Sequence, residues 1–338
     1  VIFAVSAFAA LLATALLVGA LLPVLRRYAL ARPNARSSHR VPTPQGAGIA
    51  IVIAVIGVVG VAAIGHAPVA PRELTGLAVL AGASVALAII GAWDDLRPLG
   101  ALPRLAMQTA CVAAVVVAMP QEMRALPDLP LALERGLAVL AGVWFVNLTN
   151  FMDGLDLMTV AGIGPAVAAI ALLGAYGILP EAPALVAAAL AGALAGFAPW
   201  NRPVARVFLG DVGSLPIGLV TGYCLYALAC HGHLVAALVL PAYYLTDATV
   251  TLVRRMARGE RFWEAHRSHF YQRATDLGWR VADVSGRVFL TNLILALLAV
   301  VSTTTRGHEW QLVALLGAAG VVLLLLSRLS AAPEGRRR

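Results

Sequence analysis

The chain has 338 residues, 60% hydrophobic and 12% charged, with a mean hydropathy of +0.86 and a formal net charge of +8. Soluble domains carry about a quarter charged residues, so this composition excludes a water-soluble globule. Nucleic acid is excluded as a partner because no basic domain is present to read a groove. The positive charge, all of it arginine, is expected to report membrane topology first and attraction to anionic head groups or phosphorylated substrates second.

A membrane span needs roughly 20 predominantly apolar residues. That criterion predicts eleven helices, over 1–25, 47–65, 75–92, 103–119, 134–149, 159–178, 183–199, 213–231, 233–253, 286–302 and 310–328. The expected fold is therefore all-α, a single polytopic membrane domain over 1–338. The first stretch precedes Arg26 and Arg27, the reverse of a signal peptide's charge order, and is expected to remain as an anchor. With the loop after it taken as cytoplasmic, segments 26–46, 93–104, 150–158, 200–212, 254–287 and 328–338 hold 21 of the 25 arginines. Only Arg72, Arg124, Arg135 and Arg306 fall on the other side, which predicts an external N-terminus and a cytoplasmic C-terminus. The Ala/Gly-rich stretch 184–196 has side chains small enough for close helix contact, and Cys111, Cys224 and Cys230 read as packing residues. The external acids Glu73, Glu122, Asp128, Glu134, Glu181 and Glu309 read as solvated loop residues.

The cytoplasmic acids are embedded instead in Gly, Asn, Thr and aromatic residues. The Pro-punctuated loop 32–50 contains His39, which reads as a solvated histidine. In GAWDDLRPLG, Asp94 and Asp95 end the third span; they form either a solvated helix end neutralised by Arg97 or a carboxylate pair beside a divalent cation or phosphorylated nucleophile. In NLTNFMDGLDLM (147–158), Asn147, Asn150, Asp153 and Asp156 recur every third residue, which predicts a polar stripe at the end of a hydrophobic helix. Capping needs one such residue, not four, and unpartnered polar groups near lipid cost several kcal/mol, so a cation or polar ligand is expected there. In RVFLGDVGSLPIG (206–218), Asp211 lies between Gly210 and Gly213, either as a plain turn or as a close backbone approach to a ligand, with amides of the next helix facing phosphate. Phe208 reads as a lipid-facing ring or a platform for a flat base. Asp247, inside the ninth span, is expected to pair with Arg254 seven residues on. The basic segment 254–280 carries His266, Arg267 and His269, donors suited to diphosphate, while Phe262, Trp263 and Tyr271 are placed to seat it at the interface. Two histidines alone do not make a zinc site.

In this order, the adjacent Asp pair, the N-x-x-N-x-x-D-G-x-D run, the F-x-G-D-x-G-S turn and the flanking basic loops resemble the polyprenyl-phosphate N-acetylhexosamine-1-phosphate transferases of glycosyltransferase family 4. The resemblance covers about residues 32–280 and looks most like the bacterial subgroup that starts O-antigen or related surface glycans. It implies that Asn150 and Asp211 hold Mg²⁺, with Mn²⁺ able to substitute, and that Asp94 and Asp95 serve the prenyl-phosphate nucleophile. It further implies that Asp153 supports the metal and nucleotide region, that Asp156 and Phe208 meet the uracil, and that His266, Arg267 and His269 contact the diphosphate. Three positions depart from the family pattern: Ser268 replaces a histidine, Ala47 precedes Gly48 where Gly-Gly is usual, and Ala31 stands where an Asp is expected.

The function so implied is transfer of an N-acetylhexosamine 1-phosphate from a UDP-sugar to undecaprenyl phosphate, releasing UMP. Loops 26–46, 93–104, 150–158, 200–212 and 254–285 would form the active site on the cytoplasmic face of a bacterial inner membrane, with a homodimer allowed. A phospho-MurNAc-pentapeptide-type transferase is the near alternative. A transporter or flippase is the distant one, and it calls for ionisable groups running across the midplane, where only Asp247 lies deep in a span.

Overall fold

A computed structural model describes residues 1–31, 42–65, 71–260, 266–305 and 307–333, with Pro71 and Arg72 described by backbone only. His39, His66, Phe262 and Trp263 lie outside the described residues. The helices are α1 (Ile2–Tyr28), α2 (Gly48–Gly65), α3 (Pro71–Leu96), α4 (Ala101–Ala118), α5 (Leu131–Phe151), α6 (Met158–Ala175), α7 (Glu181–Asn201), α8 (Asp211–Cys230), α9 (Leu234–Val239), α10 (Ala242–Ala257), α11 (Phe270–Asp276), α12 (Val281–Thr304) and α13 (His308–Leu329). The strands β1 (Leu30–Ala31) and β2 (Thr43–Pro44) pair antiparallel, Leu30 opposite Pro44 and Ala31 opposite Thr43. The fold is all-α, and ten of the described helices are long and apolar enough to cross a bilayer. The chain is a multi-pass membrane protein.

The ninth expected span, 233–253, is not one helix. It breaks into α9 and α10 at Leu240–Pro241, where proline has no N–H to continue the backbone ladder. α6, α7 and α8 are buried along most of their length and form the centre of the bundle. α1 packs against α7 as the small-residue stretch predicts: a Cβ on Gly192 or Gly196 would overlap the Ala7 or Leu11 carbonyl of α1. Outer helices keep apolar residues such as Leu16, Ile64, Leu297 and Leu324 exposed, as a lipid-facing surface requires.

At the end remote from Asp94, Asp95, Asp153 and Asp211, Glu134 is not a solvated loop residue. It is 2% exposed and accepts bonds from the Arg124 guanidinium, the amides of Ala125 (2.7 Å) and Leu126 (3.3 Å), and the Tyr226 hydroxyl (3.4 Å). Arg135 donates to the carbonyls of Val116, Met119 and Pro120, closing the end of α4, whose last carbonyls have no partner within the helix. These bonds tie loop 119–130 to the bundle.

Candidate active site

The candidate site is assembled where the end of α3, the segment after β2 and the start of α8 meet. Phe208 N–H donates to the Pro44 carbonyl (2.8 Å), and the Phe208 carbonyl accepts from the amides of Gly46 (3.1 Å) and Ala47 (3.0 Å). Gly48 N–H continues the contact to the Leu209 carbonyl at 2.9 Å. Two close approaches demand glycine: a Cβ on Gly48 would overlap the Gly213 backbone, and one on Gly91 would overlap Asp211. Gly210 makes the turn into α8 with φ +77°. Gly213 thus admits the Gly48 backbone and Gly210 the Asp95 and Gln45 side chains, so the close approach at this turn is to the chain itself.

The first amides of α8 are occupied as well. The Asp95 carboxylate accepts from Asp211 N–H (3.0 Å), Val212 N–H (3.2 Å) and the Gln45 side-chain amide. A helix leaves its first N–H groups unpaired and its N-terminus partially positive, so a carboxylate from another helix is a natural cap. The expectation that these amides face phosphate is therefore corrected: Asp95 takes them. Asp94 points elsewhere, accepting from Leu99 N–H (2.6 Å) and from Arg104 Nη1 at 2.7 Å. Arg104, and not the exposed Arg97, is its cation.

Asn150, in the last turn of α5, donates through Nδ2 to Asp211 Oδ1 (2.7 Å) and to Ser214 Oγ (2.9 Å), joining α5 to α8. The predicted four-residue stripe is not a helix face. α5 ends at Phe151, so Asp153 and Asp156 lie in the connection to α6, and Asn147 Nδ2 donates to the Gln108 side-chain oxygen Oε1 at 2.8 Å. Asp153 is held by the Thr159 hydroxyl. Burial pushes its carboxyl well above the usual range, and the charges of Asp211, Asp95 and Asp156 add to the rise against the opposing Thr159 bond. Asp156 is buried: Oδ2 accepts from Ala205 N–H (3.0 Å), and its backbone carbonyl accepts from Ser285 Oγ (2.6 Å). Asn201 spans Leu157 N–H (2.7 Å) and the Val207 carbonyl (3.0 Å), so the segment carrying Phe208 is fastened to the turn after Asp156.

In the basic segment, the His266 and His269 rings lie with centroids 5.0 Å apart, their planes tilted by 30°. Arg267 Nη2 bonds Asp276 Oδ1 and Thr275 Oγ1, both at 3.0 Å, which ties it to α11. His269 Nδ1 lies 3.2 Å from Asp247 Oδ1. Asp247 is thus not paired with Arg254. Seven residues along a helix is a rise of about 10 Å, beyond direct contact, and Arg254 lies 4.8 Å from the Phe270 ring centroid instead. Tyr271, expected at the interface, is fully buried, its hydroxyl bonded to the Phe151 carbonyl at 2.8 Å. Burial raises its phenol well above the ordinary value, with Asp247, Tyr244 and Asp153 adding to the effect. Sequence alone missed Gln45, Arg104, Thr159, Asn201 and Ser214. Of these, Arg104 had a signal: it is the cation ten residues from an acidic pair.

A divalent cation fits this donor set. Asp94, Asp95, Asp153 and Asp211 gather with Arg104 as the one guanidinium bonded to them among the described residues, and their oxygens are the hard donors that Mg²⁺ selects. Asn150 and Asp211 are already adjacent. No group of three or more His, Cys, Asp or Glu side chains is preassembled around one point among the described residues. Mg²⁺ is commonly bound by one or two carboxylates with water and substrate phosphates completing the shell.

Comparison with known proteins decides the family. Residues 77–229 match the profile of glycosyl transferase family 4. A phospho-N-acetylmuramoyl-pentapeptide-transferase of Mycobacterium sp. (strain KMS) is 30% identical, over 75% of this chain and 81% of the relative. The chain belongs to glycosyltransferase family 4. Two decaprenyl-phosphate N-acetylglucosaminephosphotransferases are also similar: that of Mycobacterium tuberculosis (strain H37Rv) at 28% identity over 74% of this chain and 70% of the relative, and that of Mycolicibacterium smegmatis at 29% over 75% and 70%. The family 4 match includes Asp94, Asp95, Asn150, Asp153, Asp156, Phe208 and Asp211, whereas Asp247, His266, Arg267 and His269 lie beyond it.

Proposed function

We propose that this protein transfers an N-acetylhexosamine 1-phosphate from a UDP-sugar to a polyprenyl phosphate such as undecaprenyl phosphate, as the first membrane step of a surface glycan. The observation that carries this reading is the junction of Asn150, Asp211 and Asp95, where carboxylates from separate helices meet with too few cations of their own. Family 4 membership and relatives that act on decaprenyl phosphate support it. A prenyl-phosphate oxygen attacks the sugar-bearing phosphorus, the bond to the UMP oxygen breaks, and UMP leaves. Both partners are anionic, so charge must be neutralised and the attack held in line.

Asn150 and Asp211 would hold Mg²⁺, or Mn²⁺ in its place, and Asp153 would support the metal and nucleotide region beside them. The metal, when bound, neutralises phosphate charge. Asp94 and its partner Arg104 orient the prenyl phosphate. A phosphate monoester with a second pKa of about 6 is largely dianionic at neutral pH, so orientation outweighs proton removal. Asp95 acts on the nucleophile's side through its hold on α8. Asp156 and Phe208 receive the uracil, and His266, Arg267 and His269 the diphosphate. The arginine-rich end faces the cytosol and its nucleotide pool, while the prenyl tail stays in the bilayer.

The test is release of UMP from a panel of UDP-N-acetylhexosamines, GlcNAc, FucNAc and QuiNAc among them, by protein in lipid vesicles. Release must require both prenyl phosphate and Mg²⁺, and the lipid-linked product is identified by mass. UMP release without prenyl phosphate, or none with any donor, sinks the proposal. The relative covered at 81% favours a second reading, with UDP-MurNAc-pentapeptide as donor; turnover of that donor alone would select it.

A further inference from the structure

Asp247 is fully buried, lies outside the family 4 match, and is surrounded by donors. Its carboxylate accepts from the hydroxyls of Tyr243 (3.1 Å) and Thr251 (3.3 Å) on its own helix. Across 22 to 24 residues of chain it also meets His269 Nδ1 (3.2 Å), Phe270 N–H (3.1 Å) and Tyr271 N–H (3.4 Å). The two amides are the first of α11, so one side chain of α10 both caps α11 and holds the imidazole beside it. The ring it holds is stacked: its centroid is 6.2 Å from Phe151 and 5.8 Å from Tyr271. Phe151 follows Asn150 directly, and Tyr271 bonds the Phe151 carbonyl. A Cβ on Gly154 would overlap the Tyr271 hydroxyl, so this contact reaches the turn between Asp153 and Asp156.

We propose that Asp247 is a positioning residue for the transfer, acting through His269: with Nδ1–H donating to the Asp247 carboxylate, the ring's plane is set and Nε2 is the atom left for the donor's diphosphate, to which the doubly protonated ring donates Nε2–H. Among the described residues Nε2 has no hydrogen-bond partner. A carboxylate that orients a functional imidazole in this way fixes which nitrogen faces the ligand, the same logic by which outer partners orient metal-bound or catalytic histidines. The Phe270 and Tyr271 amides give the same carboxylate a second task, registering α11 against the Asn150–Asp156 segment. This inference rests on the transferase reading for the role of His269.

The experiment is a double-mutant cycle on the full chain in lipid vesicles, comparing wild type, Asp247→Asn, His269→Ala and the double variant. Asn keeps the size and one acceptor oxygen. Asp247→Asn is expected to lower kcat by about 10- to 100-fold, the range for outer-shell partners of a functional histidine, with KM for the UDP-sugar changed far less. In the His269→Ala background the same substitution should cost less than about twofold more, because the residue it acts through is gone. Effects that multiply would make Asp247 a scaffold residue and overturn the inference. Should Asp247→Asn fail to fold, ¹⁵N-histidine NMR of the wild type decides: a hydrogen-bonded Nδ1–H on His269 is expected, and an Nε2–H tautomer with a bare Nδ1 overturns the proposal. Absence of turnover in the wild type would defeat the transferase reading alone, since the tautomer reports the Asp247–His269 contact without any substrate.

Discussion

Each end of the bundle holds buried or half-buried carboxylates, and the contrast between them separates architecture from chemistry. At one end Glu134 faces Arg124, two backbone amides and a tyrosine hydroxyl, so its charge and its lone pairs are met from within the chain. At the other end four aspartates gather, with Arg104 bonded to Asp94 as the compensating guanidinium. A satisfied carboxylate is a fastener. A surplus of carboxylates needs a cation from outside, and the backbone there is held by glycine contacts too close to relax the crowding.

Substitutions on the two ends should therefore fail in different ways. The largest effect is expected from Asp211→Asn, which should reduce transfer by at least about 10²-fold while the protein remains inserted and unfolds at the wild-type midpoint. Loss of Mn²⁺ binding, followed by electron paramagnetic resonance, should accompany it, and wild-type turnover in this variant would remove the metal assignment. The adjacent acids sharpen the comparison inside the site. Asp94→Asn should abolish transfer with an unchanged unfolding midpoint, whereas Asp95→Ala should lose transfer and also about 1–2 kcal/mol of stability, as the loss of a helix cap costs. Equal stability in the two variants would break that distinction.

At the opposite end the expectation reverses. Glu134→Ala should lower unfolding stability by about 2–3 kcal/mol, the cost of leaving charged and backbone donors without their acceptor, and transfer per folded molecule should stay within about twofold. Denaturation midpoints and specific activity measured on the same preparation check both halves. The smallest effect is expected at the exposed pair Arg280–Asp283, joined at 2.7 Å and 2.9 Å. Arg280→Gln should change neither midpoint nor turnover measurably, because water screens an exposed pair.

Much of the site was legible because family-type spacing and membrane topology bring particular residues to helix ends. Asp94, Asp95, Asn150 and Asp211 converge as their places at one end of three spans predict. Residues whose partner is local in space and remote in sequence were not legible. Asp95 reads as half of an acidic pair at its own helix end, and its bonds to the Asp211 and Val212 amides, more than a hundred positions away, add the capping of α8. Glu134 reads as solvated until Tyr226 and the loop before it close over its carboxylate. The break in the ninth span did have a signal, Pro241, which a hydropathy window averages away.

What the amino-acid sequence determined by itself was the solvent this chain folds in, the helical class, and the family chemistry its motifs spell. Apolar length and period are local properties, and a backbone in lipid must satisfy its own hydrogen bonds. Tertiary structure alone decided which carboxylate meets which donor: Asp247 with His269 and not Arg254, Asp94 with Arg104 and not Arg97, Asp95 with the amides of α8. The physical reason is one of range. Helix formation follows from neighbours within a turn or two, but the partner of a buried charge is set by packing between helices, where a contact of about 3 Å is chosen by glycines, turns and breaks far away along the chain.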